Sequence, residues 1–440
     1  MGTALLTDKY EFTMLQAALR DGTADRKCVF ELFTRRLPAG RRYGVVAGTG
    51  RFLEELTSYR FEEEDLEYLR AEGVLDERTL DYLADYRFTG DIRGYAEGEI
   101  YFPHSPLMVV ESTFAQGVLL ETLALSILNY DSAVASAASR MTTAAGSRPC
   151  LDMGARRAHE QAAVSAARAA VIAGFAGTSN YEAARRHGLK AIGTAAHAWT
   201  LLHDSEEEAF RSQVDSLGVS TTLLVDTYDV TQGVETAIKV AGPELGAVRL
   251  DSGDLGVQAA EVRKQLDSLG ATNTKITVTS DLDEHAIAAL ASAPVDSYGV
   301  GTRLVTGSGE PTSSMVYKLV LRENTQGVME PVQKASTAKA SVGGTKSAVR
   351  ELNSHGRAAS EMVLVGSDAA RETFVGSAQS VRPLHVPLVT AGVVHEEWLG
   401  GEGLSRAITR HRTSRDELPR NALRLSVGDP AIPTVTRSLD

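Results

Sequence analysis

The amino-acid sequence predicts an α/β fold in which a barrel of parallel strands carries the functional site and a second α/β domain accompanies it. Between about residues 116 and 320, short apolar runs alternate with helical stretches, and each run ends in a polar cluster. The runs end near residues 178, 195, 226, 251, 280 and 301. Most spacings are therefore about 20 to 30 residues, the length of a strand with its crossover helix. Apolar strands flanked by helices form parallel sheets, and polar strand ends in series favour a closed barrel.

The elements follow from local patterns in chain order. The run KCVFELFTRRLP predicts a strand that ends at Pro38, and the Glu-rich stretch after it predicts helices that end near Gly73. The runs LLETLALSILNYDSAVASAASRM and MGARRAHEQAAVSAARAAVIAG each predict a long helix. Beyond about residue 330 the helical signal fades and short strands are expected.

Three segments are expected. Residues 1–115 are predicted to form the N-terminal part of an α/β sandwich domain, and residues 116–330 the barrel with the active site. Residues 331–440 are predicted to return to the N-terminal domain. The expected class is thus an irregular α/β (TIM-like) barrel with an α/β sandwich domain built from both chain ends.

Composition excludes several classes of protein. The 440 residues include 43% hydrophobic and 23% charged residues, as in ordinary soluble domains, and the net charge of −12 argues against nucleic-acid binding. Cys28 and Cys150 are too few for a disulfide framework or a cysteine-rich zinc site. No run of about 18 apolar residues is apparent, so no membrane partner is expected. We expect a cytoplasmic protein with no resident metal held by its own side chains.

One histidine lies among unusually small residues. The stretch AIGTAAHAWT surrounds His197 with Gly, Thr and Ala until Trp199. A core position would need volume here, so the stretch favours close approach of a large polar ligand. His197 is a candidate base, phosphate ligand or nucleophile that accepts a phosphoryl group.

Carboxylates end two of the predicted strands. In LLVDTYDV, either Asp226 or Asp229 caps the next helix, and the other is a candidate partner that sets the tautomer of a histidine. In VRLDSGDLG, Asp254 suits a helix cap, while Asp251 is a candidate ligand for ribose hydroxyls or magnesium. Arg249 is a candidate for a phosphate or an anionic ring substituent.

Glycine and hydroxyl residues end the later strands. Gly299, Gly301 and Thr302 predict a turn whose backbone N–H groups bind phosphate, although a plain tight turn has the same pattern. Ser280 and Asp281 are candidate ligand-binding residues after the preceding strand. The two arginines of MGARRAHE, placed at a predicted helix start against the helix dipole, indicate a nearby anion.

At this point the sequence resembles the nicotinate phosphoribosyltransferase family over nearly the whole chain, less so after about residue 350. The resemblance rests on motifs in the family's order: LLTDKYEFTM, FELFTRRLP, LLETLALSILNYDS, MGARRAH, GTSN, GTAAHAW, VDTYDV, RLDSGDLG and YGVGTRLVT. The segment PVQKASTAKASVGGTKSAVR is similar to the family's Lys-Ser-x-x-Lys segment, with Gly343 where a proline is often found.

The resemblance implies an activity. Such enzymes join nicotinate to phosphoribosyl pyrophosphate (PRPP), giving nicotinate mononucleotide and pyrophosphate on the route to NAD. They couple this reaction to ATP hydrolysis through a phosphohistidine, which matches His197, and Asp226 would orient its ring. Mg²⁺ on the pyrophosphate and ATP as co-substrate are implied, as is a homodimer.

The resemblance also implies roles for individual residues. Nicotinate would be bound by Tyr10 from the neighbouring subunit and by Met153, Arg156, Thr178, Ser179 and Arg249. PRPP and its phosphates would be bound by Arg35, Asp251, Ser280, Asp281, Gly299, Gly301 and Thr302. Related nicotinamide enzymes carry an acidic residue at the position of Ser179, where a carboxylate would repel nicotinate. Met153 replaces the family's usual aromatic ring and can still pack on a ring face.

Other functions stay open at this point. Ser179 argues against a nicotinamide phosphoribosyltransferase, and the His197 motif argues against a quinolinate enzyme. A barrel isomerase or aldolase should place a catalytic Lys or Glu at a strand end, and none stands out. A non-catalytic nucleotide-binding protein would lack His197, Asp251 or the glycine turn, which are all present.

Overall fold

A computed structural model describes residues 3–334, 342–378 and 380–439. Its contacts divide the chain into two compact units. The split unit comprises Met1–Ser136 and Glu310–Asp440, and the central unit comprises Ala137–Gly309. The domain boundaries at residues 115 and 330 stay predictions, while these units divide the chain at other positions.

The helices are, in chain order, α1 (Lys9–Asp21), α2 (Thr49–Ser58), α3 (Glu63–Ala71), α4 (Glu77–Ala84), α5 (Phe114–Val118), α6 (Glu121–Ala145), α7 (Glu160–Ile172), α8 (Tyr181–His187), α9 (His197–Leu202), α10 (Glu206–Leu217), α11 (Val230–Ala241), α12 (Leu255–Ser268), α13 (Glu284–Ala289), α14 (Thr302–Val305), α15 (Asp368–Ser377) and α16 (Gly400–Asp416). Short 3₁₀ turns cover Leu290–Ser292, Gly307–Gly309, Glu396–Trp398 and Arg420–Leu423.

The strands are β1 (Lys27–Thr34), β2 (Gly44–Val45), β3 (Asp91–Tyr95), β4 (Ile100–Tyr101), β5 (Pro106–Thr113), β6 (Cys150–Asp152), β7 (Thr222–Leu224), β8 (Ala247–Leu250), β9 (Lys275–Ser280), β10 (Ser297–Val300), β11 (Met315–Glu323), β12 (Met329–Pro331), β13 (Lys346–Leu352), β14 (Ala358–Val365), β15 (Val381–Pro383), β16 (His385–Thr390), β17 (Val393–Val394) and β18 (Thr434–Ser438).

The split unit is built around a seven-stranded sheet in the order β12-β11-β1-β5-β3-β16-β17. Strand β1, which pairs with β11 and β5, is buried from Cys28 to Thr34, as its apolar run predicts. Strands from distant parts of the chain pair here, as in Val386 of β16 opposite Gly94 of β3. A four-stranded sheet in the order β15-β13-β14-β18 lies in the same unit.

The central unit contains a five-stranded parallel sheet in the order β6-β10-β9-β8-β7. Isolated bridges extend it beyond β6, from Asp152 to Thr178 and from Thr178 to Ala191. The predicted parallel α/β sheet is therefore confirmed, but no closed barrel is found in the part of the chain that the structure describes. The chain leaves the sheet after Ala191 and enters α9 at His197, so no strand pairing joins Ala191 to β7.

The crossover helices of this sheet are capped as their sequences predict. Asp229, Asp254 and Asp283 accept hydrogen bonds from backbone N–H groups in the first turns of α11, α12 and α13. Each cap satisfies an N–H group that has no partner within its helix, which is worth about 1 kcal/mol.

Two predictions about helices were wrong. The arginines of MGARRAHE precede a helix rather than begin one, because α7 starts at Glu160 with His159 as its N-cap. The argument from the helix dipole therefore does not apply to Arg156. Beyond residue 330, the 17-residue α16 was missed because it buries small and polar residues, including Ala407, His411 and Ser414, rather than a stripe of large apolar ones.

The segment Phe114–Ala145 differs from the expectation that the chain has no apolar run long enough to cross a membrane. Residues Phe114–Ala145 are long and apolar enough to cross a membrane by length and composition, with a mean hydropathy of 1.3 over an 18-residue window. Within that window 67% is buried inside the protein, a property that core helices share. Most of this apolar window is therefore packed inside the protein.

Candidate active site

A cavity of 440 Å³ opens in the central unit beside the carboxyl ends of β6, β8 and β9. Parallel strands gather the residues that follow them at one edge of the sheet, which is where ligands bind in such folds. The cavity is lined by Met153, Ala155, Arg156, Ser179, Gly193, Thr194, Ala195, Ala196, His197, Arg249, Asp251 and Thr279. Sequence-predicted residues from four separate motifs therefore meet at one place.

His197 is the first residue of the short helix α9, and 39% of its side chain is exposed. Its Nδ1 atom lies 3.1 Å from the hydroxyl of Thr227, within hydrogen-bond distance. Its Nε2 atom lies 4.0 Å from Oδ1 of Asp226 and 3.9 Å from Oδ2 of Asp251. The small residues that precede it leave the ring open to the cavity.

The two carboxylates are fixed by their own hydrogen bonds. Oδ2 of Asp226 accepts from the backbone N–H of Asp251 at 2.8 Å and from the hydroxyl of Ser252 at 3.0 Å. Oδ1 of Asp226 is buried and has no hydrogen-bond partner among the residues that the structure describes. Oδ1 of Asp251 accepts from the hydroxyl of Thr279. Two rigid negative groups therefore face the same nitrogen of His197.

Two arginines line the same cavity. Burial lowers the pKa of Arg249, and the charge of Arg156 acts in the same direction, while Asp251 and Asp226 act to raise it. Nε of Arg249 is buried without a hydrogen-bond partner, and its Nη1 lies 3.5 Å from the hydroxyl of Thr194. Within the described ranges, neither arginine forms an ion pair. This end of the cavity can therefore bind an anion.

The structure separates the roles of the neighbouring Thr178 and Ser179. The hydroxyl of Thr178 is fully buried and donates to Oδ2 of Asp152 at 2.6 Å, so it is engaged within the protein. Ser179 lines the cavity. Asp152, whose pKa is raised by burial, also accepts from the N–H of Gly154 at 2.8 Å. Sequence reasoning passed over Asp152, although it directly precedes the MGAR motif.

The predicted phosphate turn follows β10. A Cβ atom at Gly299 would lie 2.4 Å from Cγ2 of Thr279 and 3.3 Å from Cγ of Met153, so packing alone requires glycine there. At Gly301 a Cβ would make only ordinary contacts, the nearest at 3.5 Å. Gly301 precedes Thr302, the first residue of α14. None of these three residues lines the cavity within the described part of the chain, and neither do Ser280 and Asp281.

Two predicted residues belong to the split unit. Arg35 follows β1, and Tyr10 lies on α1 with 43% of its surface exposed. Burial raises the pKa of Tyr10, as does its hydrogen bond to Glu121. Their roles stay predictions. Residues 335–341 of the segment that is similar to the family's Lys-Ser-x-x-Lys segment lie outside the described residues, whereas Lys334 and Gly343 on either side are described.

Two family models match this chain. The nicotinate phosphoribosyltransferase (NAPRTase) N-terminal domain matches residues 5–129, and the nicotinate phosphoribosyltransferase (NAPRTase) family matches residues 149–362. The chain belongs to the nicotinate phosphoribosyltransferase family. It is an enzyme of that type, which confirms the resemblance seen in its motifs.

Individual relatives agree with this assignment. The chain is 55% identical over 440 residues to nicotinate phosphoribosyltransferase pncB1 of Mycobacterium tuberculosis, covering 98% of this chain and 95% of that protein. It is 38% identical to the nicotinate phosphoribosyltransferase of Bacillus subtilis over 361 residues, covering 80% and 73%. The crystal structure of human nicotinic acid phosphoribosyltransferase matches with a TM-score of 0.82 at 24% identity, covering 98% and 97%. This structural likeness shows that the two proteins share a fold.

Proposed function

We propose that this enzyme transfers the phosphoribosyl group of PRPP to nicotinate, in NAD salvage, and couples the transfer to ATP hydrolysis through phosphorylation of His197. The observation that carries the proposal is that His197, Asp251, Arg156 and Arg249 line one cavity, with the buried carboxylate of Asp226 4.0 Å from Nε2 of His197. The arginines suit an anionic base and phosphates, while the histidine with its carboxylates suits phosphoryl transfer.

Nicotinate is the base that this cavity suits best. Its carboxylate needs cations and hydrogen-bond donors, which Arg156, Arg249 and the hydroxyl of Ser179 supply. A carboxylate in place of Ser179 would repel it. The side chain of Met153 lines the cavity and offers a polarisable surface to the pyridine ring.

The glycosyl transfer itself requires mainly positioning. The pyridine nitrogen attacks C1′ of the ribose, and the bond from C1′ to the pyrophosphate oxygen breaks as charge develops on the sugar. Asp251 holds the ribose hydroxyls. The 5′-phosphate is bound by Gly299, Gly301 and Thr302, with Ser280, Asp281 and Arg35 as further phosphate contacts. No general base is needed, because the pyridine nitrogen is the nucleophile.

The donor set at this site fits Mg²⁺. Asp251 places a carboxylate on the cavity wall, with 35% of its side chain exposed. The described residues contain no cluster of three or more His, Cys, Asp or Glu side chains that could hold a metal ion. Mg²⁺ commonly binds through one or two carboxylates, with substrate phosphates and water as its other ligands. An ion held by Asp251 in this way would neutralise charge on the pyrophosphate.

The contacts of His197 support Nδ1 as the nucleophile. Nε2 faces the carboxylates of Asp226 and Asp251, which favour a proton on that nitrogen. Nδ1 then carries the lone pair. Oδ1 of Asp226, which has no other partner, is available to accept the Nε2–H group. Attack by Nδ1 on the γ-phosphorus of ATP forms the N–P bond, and ADP leaves with the electrons of the P–O bond.

A homodimer is part of the proposal. The exposed fractions of Leu6, Tyr10 and Met14 are 69%, 43% and 36%, and these residues recur every four positions along the start of the chain. Such a stripe supports contact with a second copy, in which Tyr10 would stack on the pyridine ring in the neighbouring site. We also propose a cytoplasmic location, with no membrane or nucleic acid as partner.

The test measures mononucleotide formation from PRPP with nicotinate or nicotinamide, each with and without ATP. Wild type should use nicotinate and respond to ATP, and His197→Ala should lose the ATP response. His285→Ala, an exposed histidine in the same unit, serves as the control and should behave as wild type. Preference for nicotinamide would refute the argument from Ser179, and an intact ATP response in His197→Ala would refute the phosphohistidine.

A further inference from the structure

Thr227 supplies the hydrogen bond that holds the ring of His197. The Thr227 hydroxyl lies 3.1 Å from Nδ1. The carboxylates near Nε2 lie at 3.9 and 4.0 Å, beyond hydrogen-bond distance. Ring orientation in this structure therefore depends on a residue that the motif analysis did not single out.

The position of Thr227 is fixed from both sides. The preceding residue, Asp226, is tied to the backbone of Asp251 and to Ser252. Two residues later, Asp229 caps α11 by accepting from the N–H of Gln232 at 2.9 Å. Because Asp226 and Asp229 are both anchored, the backbone that carries Thr227 is restrained on either side.

We propose that Thr227 is a positioning residue for phosphorylation of His197, which rests on the function proposed above. With the proton on Nε2, the Thr227 hydroxyl donates to the lone pair of Nδ1 before ATP binds and fixes the plane of the ring. When ATP binds, the hydroxyl turns from Nδ1 to donate to a γ-phosphoryl oxygen, which frees the lone pair and holds the phosphorus beside it. The Nδ1–P bond then forms as the bond from the γ-phosphorus to the ADP oxygen breaks, while Nε2 keeps its proton near Asp226.

The side-chain chemistry predicts which substitution of Thr227 slows phosphorylation of His197 more. Serine keeps the donor, although it loses the β-branch that restricts rotation about χ1. Valine keeps the shape and loses the donor. A requirement for the hydroxyl therefore predicts that Thr227→Ser works and Thr227→Val fails. A purely structural requirement for a β-branched side chain predicts the reverse.

The experiment measures the rate of phosphoenzyme formation from ATP labelled at the γ-phosphate, at saturating ATP, together with the KM for ATP. Thr227→Val should phosphorylate about 10 to 100 times more slowly than wild type with little change in KM, as expected for loss of a positioned hydrogen bond. Thr227→Ser should stay within about threefold of wild type. Thr231→Val, an exposed threonine at the start of α11, is the matched control and should equal wild type.

The outcomes separate this inference from the proposed function. Absence of phosphoenzyme in wild type would refute the phosphohistidine itself. A labelled wild type with an equally fast Thr227→Val variant would overturn the role of Thr227 alone. Failure of Thr227→Ser to the same extent as Thr227→Val would also overturn it, because the hydroxyl would not be the deciding feature.

Discussion

The split unit and the central unit contain buried carboxylates in opposite environments. In the split unit, Glu99 is 1% exposed and accepts hydrogen bonds from Arg350, Arg382 and Ser414. Burial acts to raise its pKa, but Arg350 and Arg382 outweigh that effect and hold the pKa at about 2. In the central unit, the side chain of Asp226 is 2% exposed, and among the described residues its ion-pair partner is His197 at 4.0 Å.

This difference distinguishes charged groups that stabilise the fold from charged groups that can interact with a substrate. The charges of the Glu99 network are paired with one another, since Arg350 also pairs with Glu361 at 2.6 Å and is itself fully buried. Removal of one member of such a network leaves another buried charge without its partner, which is strongly destabilising. The Asp226 site keeps an oxygen without a partner and two arginines without ion pairs in the described structure. Arginines without ion pairs on a cavity wall are available to anionic substrates, and the buried Oδ1 of Asp226 is available to the ring of His197.

The largest effect on stability should come from the paired charges around Glu99. Arg350→Met leaves Glu99 and Glu361 buried without their shared partner and should cost about 3–5 kcal/mol of unfolding free energy. Equilibrium unfolding in urea at pH 7 measures this cost. Arg412→Met, an exposed arginine on the same helix as Ser414, is the control and should cost less than about 0.5 kcal/mol. A similar small loss for both variants would contradict the distinction drawn here.

The network also has a pH signature. The folded pKa of Glu99, about 2, lies below its ordinary value of 4.5, so its ionisation stabilises the fold. That contribution is fully present above about pH 4.5 and is lost as the pH falls through about 2.

Asp226→Asn, unlike Arg350→Met, should reduce the activity of the enzyme and leave its stability intact. It removes the charge that supports the Nε2–H group, and we expect the ATP-stimulated rate to fall about 10- to 100-fold. Stability should be unchanged or slightly higher, because one oxygen has no partner to lose. Asp229→Asn removes the same charge three residues away and keeps a good helix cap, so its rate should stay within about twofold. Steady-state kinetics measures the ATP-stimulated rate of both variants, and thermal melts measure their stability.

The smallest effect concerns Glu206, in the first turn of α10. Burial, and then the charge of Asp229, raise its pKa to about 7, and its Oε1 is buried without a partner. Because the folded pKa exceeds the ordinary value of 4.5, stability is greatest below about pH 4.5 and is lost as the pH rises through 7. Glu206→Gln should therefore raise the melting temperature at pH 8 and leave it unchanged at pH 4. An equal gain from Glu208→Gln, an exposed neighbour, would refute this explanation.

Much of the site could be predicted because its chemistry follows short motifs. The positions of His197, Asp251, Arg249 and Ser179 at the ends of apolar runs indicated a shared edge, and the structure places them on one cavity. The parallel sheet followed from the same spacing. These signals are local, since apolar periodicity and polar strand ends can be recognised within a few residues.

The remaining features depended on contacts between distant segments. A threonine hydroxyl carries no pattern of its own, so Thr227 gained its place only when β7 brought it to His197, 30 residues earlier in the chain. The orphaned oxygen of Asp226 likewise depends on the turn after β8, which engages its other oxygen. The absence of strand pairing between Ala191 and β7 is also a long-range property of the described sheet. The sequence by itself determined which groups gather at the strand ends, whereas tertiary structure decided which atom meets which, because hydrogen bonds depend on distances that only packing sets.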